Sequence, residues 1–307
     1  MILLTLRGVN CSAYTISTHN FWSYVLLTAE TIVTILLIAS KTEYHSVSLN
    51  AKETERDTDM SEKIENTYEL RPLIEQIPED WRYRVDEIAE RYKKLYTALV
   101  YDIMAEQYGL PGRSMKPGIG PLERGERNGK LAGPAFPTRR CTTPSTDPKV
   151  HNIRLGLMAS MCKGCVYVSD VQGNRNCGQF GEITATAMRA AGCVGAVIDG
   201  STRDSDYLIA MGFPTFVRWC SPVEGLTRSM TVDYMNPIYV DGVDGMLLIN
   251  PGDYIFADGD GVVVVPKDIV VPVLEKAEKN FNDEKLSRRA MAEGMDPFEV
   301  YNKYGRF

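Results

Sequence analysis

Apolar and polar positions recur along this chain with two periods, one typical of helices and one typical of strands. In the segment from Trp81 to Glu106, apolar residues return every three or four positions, which predicts one long helix ending at Gly109. Two short apolar runs, Cys165 to Ser169 and Val194 to Ile198, have the length of buried strands. An Ala-rich helix from about Glu182 to Ala191 lies between them. This order of strand, helix and strand predicts an α/β domain.

The second half of the chain is rich in predicted strands joined by tight turns. Strands are expected at Asn236 to Val240 and Met246 to Ile249, and a hairpin turn at Asp258 to Gly261. The unbroken β-branched run Val262 to Val265 predicts a strand that is buried on both faces. A long helix with charges on most faces, Val270 to Glu293, follows. Further elements are predicted at Lys130 to Cys141 (strand), Pro148 to Ser160 (helix), Tyr207 to Gly212 (helix) and Thr215 to Arg218 (strand).

Residues 1–59 differ in composition from the rest of the chain. The segment Phe21 to Ala39 is mostly apolar and approaches the length of a membrane span, but Glu30 near its middle would be costly in lipid. Residues 41–59 are polar, and Met60 begins a stretch like an ordinary cytosolic start. We predict an extension over 1–59, a single domain over 60–307 and a cytoplasmic protein. A membrane anchor at 21–39 is the alternative.

Composition narrows the functional classes. The 307 residues are 44% hydrophobic and 24% charged, with a net charge of -6 and no basic block, so nucleic-acid binding is not expected. The seven cysteines show no disulfide pattern, which favours a reducing compartment. Cys162 and Cys165 form a CxxC pair without the second pair that a zinc site needs, so we interpret them as structural. Asp258 and Asp260 are interpreted as turn formers.

A glycine-rich loop precedes the central helix and is the first candidate for chemistry. Gly173, Gly178 and Gly181 lead into Glu182, and backbone amides at a helix N-terminus bind carboxylates or phosphates. The glycine spacing fits neither the dinucleotide fingerprint nor the P-loop. A plain helix start, with Glu182 favoured in the first turn by the helix dipole, remains the alternative.

Arg203 and Asp204 follow the second apolar strand and form the stronger candidate. An arginine at a strand end can hold a keto acid or stabilise an enolate. An adjacent carboxylate suits Mg²⁺ or Mn²⁺, and Glu182 could bind a water of such an ion. Loop, helix start and strand end can converge on one crevice, where open α/β sheets bind ligands. A surface ion pair is the alternative interpretation.

The stretch GQFGEITATAMRAAGCVGAVIDGSTRD resembles the RraA-like proteins, which include 4-hydroxy-4-methyl-2-oxoglutarate/4-carboxy-4-hydroxy-2-oxoadipate aldolases. The stretch NPGDYIFADGDGVVVVP and a terminal E-x3-R-x5-G-M-D-P also match, and the resemblance runs from about Trp81 to Gly305. It implies a swivelling β/β/α sandwich domain with flanking N- and C-terminal helices. It also implies a homotrimer or homohexamer with sites between subunits. The matching positions are Gly181, Glu182, Ala185, Gly192, Gly195, Val197, Gly200, Arg203 and Asp204, with Met188 in place of an alanine.

The resemblance implies roles for residues around a divalent cation, Mg²⁺ or Mn²⁺. Asp204 would bind the metal directly. Glu182 would hold water bound to the metal, where many relatives carry the shorter Asp. Glu284 would do the same from a neighbouring subunit, which would account for charge on the polar C-terminal helix.

The resemblance also implies how a substrate would bind. Arg203 would contact the pyruvyl oxygens and stabilise the enolate. The backbone of Gly181 and the amides of Ile183 and Thr184 would receive the substrate carboxylate.

We therefore predict a metal-dependent lyase that acts on pyruvate-derived 2-keto acids, as a class II-type 4-hydroxy-4-methyl-2-oxoglutarate aldolase, an oxaloacetate decarboxylase or both. The alternative is a non-catalytic regulator, because some members of the family bind and inhibit an endoribonuclease. The glycine spacing supplies no S-adenosylmethionine loop, so a methyltransferase is not expected.

Overall fold

The computed structural model describes residues 69–125, 129–144 and 150–305, and the side chains of 150–152 are not described. These ranges belong to the unit Glu62–Phe307. The expected extension 1–59, with its apolar segment 21–39, lies outside them. Of the helices in the described ranges, none has the length and apolar content that crossing a bilayer requires.

Helices precede the first strand and follow the last strand in the described part of the chain. Short 3₁₀ segments occur at Leu73–Gln76 and Lys267–Ile269. The α-helices are α1 (Glu79–Arg82), α2 (Val85–Tyr92), α3 (Thr97–Tyr108), α4 (Val150–Ala159), α5 (Glu182–Ala190), α6 (Ser205–Ala210), α7 (Val270–Ala292) and α8 (Pro297–Tyr304). The strands are β1 (Gly120–Pro121), β2 (Leu131–Cys141), β3 (Val166–Asp170), β4 (Gly195–Thr202), β5 (Thr215–Cys220), β6 (Met230–Tyr234), β7 (Ile238–Gly242), β8 (Gly245–Ile249), β9 (Tyr254–Asp258) and β10 (Gly261–Val265).

The main sheet has the strand order β1-β5-β4-β3-β2-β9-β10, and β6 pairs with the far end of β2. Strands β2 to β5 are parallel, and β9 and β10 continue the sheet in antiparallel pairs. The chain before β1 returns to the opposite edge, where Met115 N donates to Val262 O (2.9 Å) and Val264 N to Arg113 O (2.9 Å). The sheet therefore curls into a nearly closed barrel with flanking helices, which confirms the predicted α/β class.

The core lies on both faces of this curved sheet. Val262 and Val264 belong to one buried cluster, which also contains Ile238 and other residues of the β7–β8 ribbon. Val263 and Val265 belong to the other cluster, which the helices cover. Alternate side chains of a strand point to opposite faces, so β10 is buried on both, as its unbroken run of valines predicts.

The single helix predicted from Trp81 to Glu106 is wrong, because the structure divides that segment into separate helices. The Lys130 ammonium donates to the Lys93 carbonyl (2.8 Å) just beyond the end of α2. The carboxylate of Asp258 then accepts from the amide (2.8 Å) and hydroxyl (2.7 Å) of Thr97, the first residue of α3. Apolar periodicity continues across the break because these helices face the same core. The groups that cap the end of α2 and the start of α3 come from distant segments of the chain.

The second apolar strand, predicted from the run Val194 to Ile198, extends further than that run. Strand β4 continues to Thr202, and its register with β5 shifts between Ile198 and Ser201. A Cβ at Gly200 would lie 2.5 Å from Cγ2 of Val171. Glycine is needed here for close packing inside a strand, and it does not terminate the strand. The continuation carries the chain directly to Arg203.

Candidate functional site

The candidate site lies where β4 ends and the glycine-rich loop enters α5. A parallel bridge joins Phe180 to Thr202, and the Phe180 carbonyl accepts from Arg203 N (2.8 Å) and from the Thr202 hydroxyl (3.0 Å). Asp204 follows in the left-handed region, with φ 58°, immediately before α6. Aspartate is one of the few residues besides glycine that adopt this conformation readily. The predicted convergence of loop, helix start and strand end is therefore present.

Two glycines make this close approach possible. A Cβ at Gly181 would lie 2.7 Å from Oδ2 of Asp204 and 3.1 Å from Cγ of Arg203. A Cβ at Gly178 would lie 2.9 Å from Cβ of Arg203. Neither glycine has a positive φ, so backbone conformation does not account for glycine at these positions. Their lack of a side chain leaves room beneath Arg203 and Asp204, which together are called the Arg–Asp corner.

The side chains of Arg203 and Asp204 form the ion pair that the sequence left open as an alternative. Nε of Arg203 lies 3.4 Å from Oδ2 of Asp204, and that oxygen also accepts from the Glu182 amide at 3.3 Å. About a third of each side chain is exposed, 37% and 34% respectively. A pair with this exposure contributes little to stability. Both residues line a cleft, so the pair is available for ligand contact.

The cleft has a volume of about 480 Å³, within the range of small-molecule sites. Its apolar wall includes Leu157 and Met158 of α4, Met188 of α5 and Tyr167 of β3. The charged groups on its lining are Arg140, Arg154, Arg203, Asp204 and Glu224. The predicted substrate-binding residues Gly181, Ile183 and Thr184 line it as well.

The first turn of α5 presents amides to this cleft. The Ala185 amide makes the first helical bond, to the Gly181 carbonyl (3.0 Å), so the amides of Ile183 and Thr184 lie ahead of the helical ladder. The side chain of Ile183 is exposed (78%). An anionic group placed here would also gain from the helix dipole.

The side chain of Glu182 does not join this corner in the present conformation. Its carboxylate accepts from the Thr186 hydroxyl (2.7 Å), one turn further along α5, and it does not line the cleft. Only its backbone amide contacts Asp204. The role of its carboxylate at a metal stays a prediction.

The structure places Glu284 on α7, away from the lining of the cleft in the same chain. The Tyr96 hydroxyl and the Arg288 guanidinium both donate to its Oε2. Burial, together with the bond to this carboxylate, raises the pKa of Tyr96 to about 12. The expectation that Glu284 acts in a neighbouring subunit concerns an assembly and stays a prediction.

The described residues of this one chain contain no group of three or more His, Cys, Asp or Glu side chains that could hold a metal ion. A cation at Asp204 would therefore take its other ligands from water and substrate. This fits Mg²⁺, which commonly keeps several waters and binds one or two protein carboxylates. The donor set at the corner is compatible with such an ion.

The CxxC pair forms no part of the cleft. Cys165 is fully buried, next to Cys193, and burial raises the pKa of the Cys162 thiol to about 11. Both cysteines of the pair are free thiols, and neither joins a metal cluster within the described ranges. The structural interpretation is consistent with these observations. Asp258 likewise caps α3, by accepting from the amide of Thr97.

Sequence reasoning missed two further charged groups on the lining of the cleft, Arg140 and Arg154. Arg140 is the last residue but one of the predicted strand KLAGPAFPTRRC, and Arg154 lies on the predicted helix Pro148 to Ser160. The only available signal was the paired arginines at a strand end. Their proximity to Arg203 depends on the fold, because some 50 to 60 residues separate them along the chain.

Comparison with known proteins gives the protein family to which this chain belongs. The family model described as RraA-like, Aldolase/RraA, matches residues 97–264. The chain therefore belongs to the RraA-like family. This confirms the resemblance noted in the sequence and agrees with the observed fold.

Two relatives illustrate the relation. The chain is 30% identical over 177 residues to Protein DlpA of Legionella pneumophila, which covers 57% of this chain but only 27% of DlpA. It is 31% identical over 148 residues to a Halalkalibacterium halodurans protein named "Putative 4-hydroxy-4-methyl-2-oxoglutarate aldolase", covering 48% of this chain and 68% of that protein. The chain thus spans about a quarter of the first relative and two thirds of the second.

Solved structures share the fold. An uncharacterized protein from Pseudomonas syringae pv. tomato superimposes with a TM-score of 0.58 at 26% identity, covering 70% of this chain and 96% of that one. Streptomyces coelicolor RraAS2, described as an unusual member of the RNase ES inhibitor RraA protein family, gives 0.57 at 23% identity, covering 66% and 97%. The latter likeness concerns the fold alone.

Proposed function

We propose that this protein is a lyase that breaks a carbon–carbon bond next to a pyruvyl unit. Its substrates would be 2-keto acids of the 4-hydroxy-4-methyl-2-oxoglutarate type, oxaloacetate or both. The observation that carries the proposal is the meeting of Arg203, Asp204 and the first-turn amides of α5 in one cleft. Relatives named for aldolase activity support it.

The amides of Ile183 and Thr184 would bind the substrate carboxylate at the N-terminus of α5. This contact would orient the adjacent keto group toward the Arg203–Asp204 corner. The exposed side chain of Ile183 would pack over the ligand and exclude water from one side.

Arg203 would stabilise negative charge on the keto oxygen. In retro-aldol cleavage the bond between C3 and C4 breaks, its electron pair forms the enolate, and the C4 hydroxyl becomes a carbonyl after losing its proton. A fixed guanidinium beside the enolate oxygen lowers the barrier because its charge is already in position. Asp204 would hold Mg²⁺ or Mn²⁺, which when bound supplies Lewis-acid stabilisation to the same oxygen.

Two carboxylates are candidates for handling the hydroxyl proton. Glu182 would have to rotate away from Thr186. Glu284 would have to come from another copy of the chain, in the trimer or hexamer that we include in the proposal. Glu284 already shares its Oε2 with hydroxyl and guanidinium donors, Tyr96 and Arg288, which would hold it in place for such a role.

The test is pyruvate release from 4-hydroxy-4-methyl-2-oxoglutarate and from oxaloacetate, with Mg²⁺ and with a chelator. Asp204→Ala should lower kcat/KM by about 100-fold or more, as expected when a residue that binds the reacting centre is lost. Asp206→Ala removes a carboxylate of α6 that does not line the cleft and is the matched control.

Undiminished turnover in Asp204→Ala would refute the site. If the wild-type protein releases no pyruvate under any of these conditions but inhibits a ribonuclease, the regulator becomes the correct assignment.

A further inference from the structure

The cleft also carries the guanidinium of Arg140, which the proposed chemistry does not use. Arg140 lies at the end of β2, beside a bulge between Arg139 and Arg140 where the pairing with β6 shifts register. Arg140 lines the cleft, whereas Arg139 is paired with Asp170 at 3.7 Å.

Arg140 is fixed before any ligand arrives. Its Nε donates to the Ser229 hydroxyl, Nη1 to the Thr231 hydroxyl and Nη2 to the Ser229 carbonyl, each at 3.0 Å. Ser229 and Thr231 are themselves buried, with 7% and 4% exposure. A guanidinium held by such partners loses little side-chain entropy on binding an anion and offers the planar geometry that matches a carboxylate.

Arg140 lies close to the loop that supports the Arg203–Asp204 corner. A Cβ at Gly225 would lie 3.2 Å from the Gly178 carbonyl oxygen and 3.9 Å from Nη2 of Arg140. Gly178 in turn lies directly beneath Arg203. One glycine therefore separates the Arg140 guanidinium from the loop that supports the corner, so a single small molecule can contact both Arg140 and the corner.

The volume and the lining of the cleft narrow the chemical class of its ligand. A volume of about 480 Å³ exceeds what a pyruvyl unit alone would fill. The apolar wall formed by Leu157, Met158 and Met188 suits a short carbon skeleton bearing an alkyl substituent. The fixed positive charge of Arg140 suits an anionic group at one end of the ligand.

We infer that Arg140 is a specificity-determining residue that binds a second carboxylate of the substrate, distal to the 2-keto acid end. This rests on the proposed function and deepens it. The preferred substrate is then a branched 2-keto diacid that spans the cleft, with its keto acid end at α5 and its distal acid at Arg140.

A matched pair of substrates tests the inference. 4-Hydroxy-4-methyl-2-oxoglutarate carries the distal carboxylate, and 4-hydroxy-4-methyl-2-oxopentanoate has a methyl group in its place. Wild-type protein should prefer the diacid. Arg140→Gln should lower kcat/KM for the diacid on the order of 10- to 100-fold, the range for losing a charge-assisted hydrogen bond, and leave the methyl analogue within about twofold.

Two further variants separate binding from general effects. Arg140→Lys keeps the charge and should recover part of the preference. Arg228→Gln removes an exposed arginine near the same cleft that does not line it, so it should leave the preference unchanged. Equal losses on both substrates in Arg140→Gln would show that Arg140 only holds β2 to β6 and would overturn the inference.

Exchange of the pyruvate methyl protons with deuterated water, followed by NMR, separates the two proposals. This reaction needs enolate formation at the Arg203 end but no distal carboxylate. Exchange in the wild type together with an unchanged substrate preference in Arg140→Gln would refute only the role of Arg140. No exchange and no cleavage in the wild type would refute the lyase, and the role of Arg140 with it.

Discussion

The replacement Gly181→Ala tests the geometry of the corner without removing any functional group. The added Cβ would lie 2.7 Å from Oδ2 of Asp204, which is closer than such contacts are found. The backbone of Gly181 is extended, with φ -157°, so alanine adds no backbone strain. The whole effect must therefore fall on Asp204 and Arg203, whose side chains have to move by several tenths of an ångström.

This displacement should reduce activity far more than stability. A misplacement of about 1 Å in a catalytic arrangement can cost about 100-fold, so we expect kcat/KM for pyruvate release to fall about 10- to 100-fold. Because a third of Asp204 is exposed and can shift outward, the free energy of unfolding should fall by only about 1 kcal/mol, the low end for overpacking.

The assay combines pyruvate release with urea unfolding of the same preparations. Gly120→Ala is the control, because nothing lies within 4 Å of a Cβ there and Gly120 has no positive φ. Wild-type activity in Gly181→Ala would refute the argument that the close approach of α5 to the Arg–Asp corner matters for catalysis. A large loss of stability would refute the assignment of the effect to the corner alone.

Two further predictions concern stability. Asp258→Ala should lower the free energy of unfolding by about 2 to 4 kcal/mol in urea titrations, because it removes both bonds to Thr97 at the start of α3, whereas Asp260→Ala should change it little. Burial raises the pKa of Asp170, so the folded protein keeps the Asp170 carboxyl protonated to a higher pH than the unfolded chain does. The stability that this bound proton contributes is therefore lost as the pH rises through the raised pKa. Asp170→Asn should therefore flatten the dependence of unfolding free energy on pH just above the ordinary Asp pKa, and an unchanged slope there would contradict the argument.

The sequence predicted the local features of the site because they lie close together along the chain. The glycine loop, the start of α5 and the Arg–Asp pair span little more than thirty residues, and their order already implies convergence. The burial of Val262 to Val265 on both faces was predictable from the segment itself, because an unbroken run of β-branched residues is typical of a strand covered on both sides.

The remaining features depend on contacts between distant segments. The break between α2 and α3 is set by Lys130 and Asp258, which local periodicity does not report. Strand β6 was not predicted, because its partner is the far end of β2. The placement of Arg140 on the cleft follows from that same pairing, so it could not be inferred before the fold was known.

The left-handed conformation of Asp204 determines where the side chains of Arg203 and Asp204 lie relative to each other. In an extended strand, neighbouring side chains point to opposite faces of the sheet. Because the chain turns at φ 58°, Arg203 and Asp204 instead border the same cleft. Adjacent positions thus place a cationic and an anionic side chain beside one cleft, with no spacer residue between them.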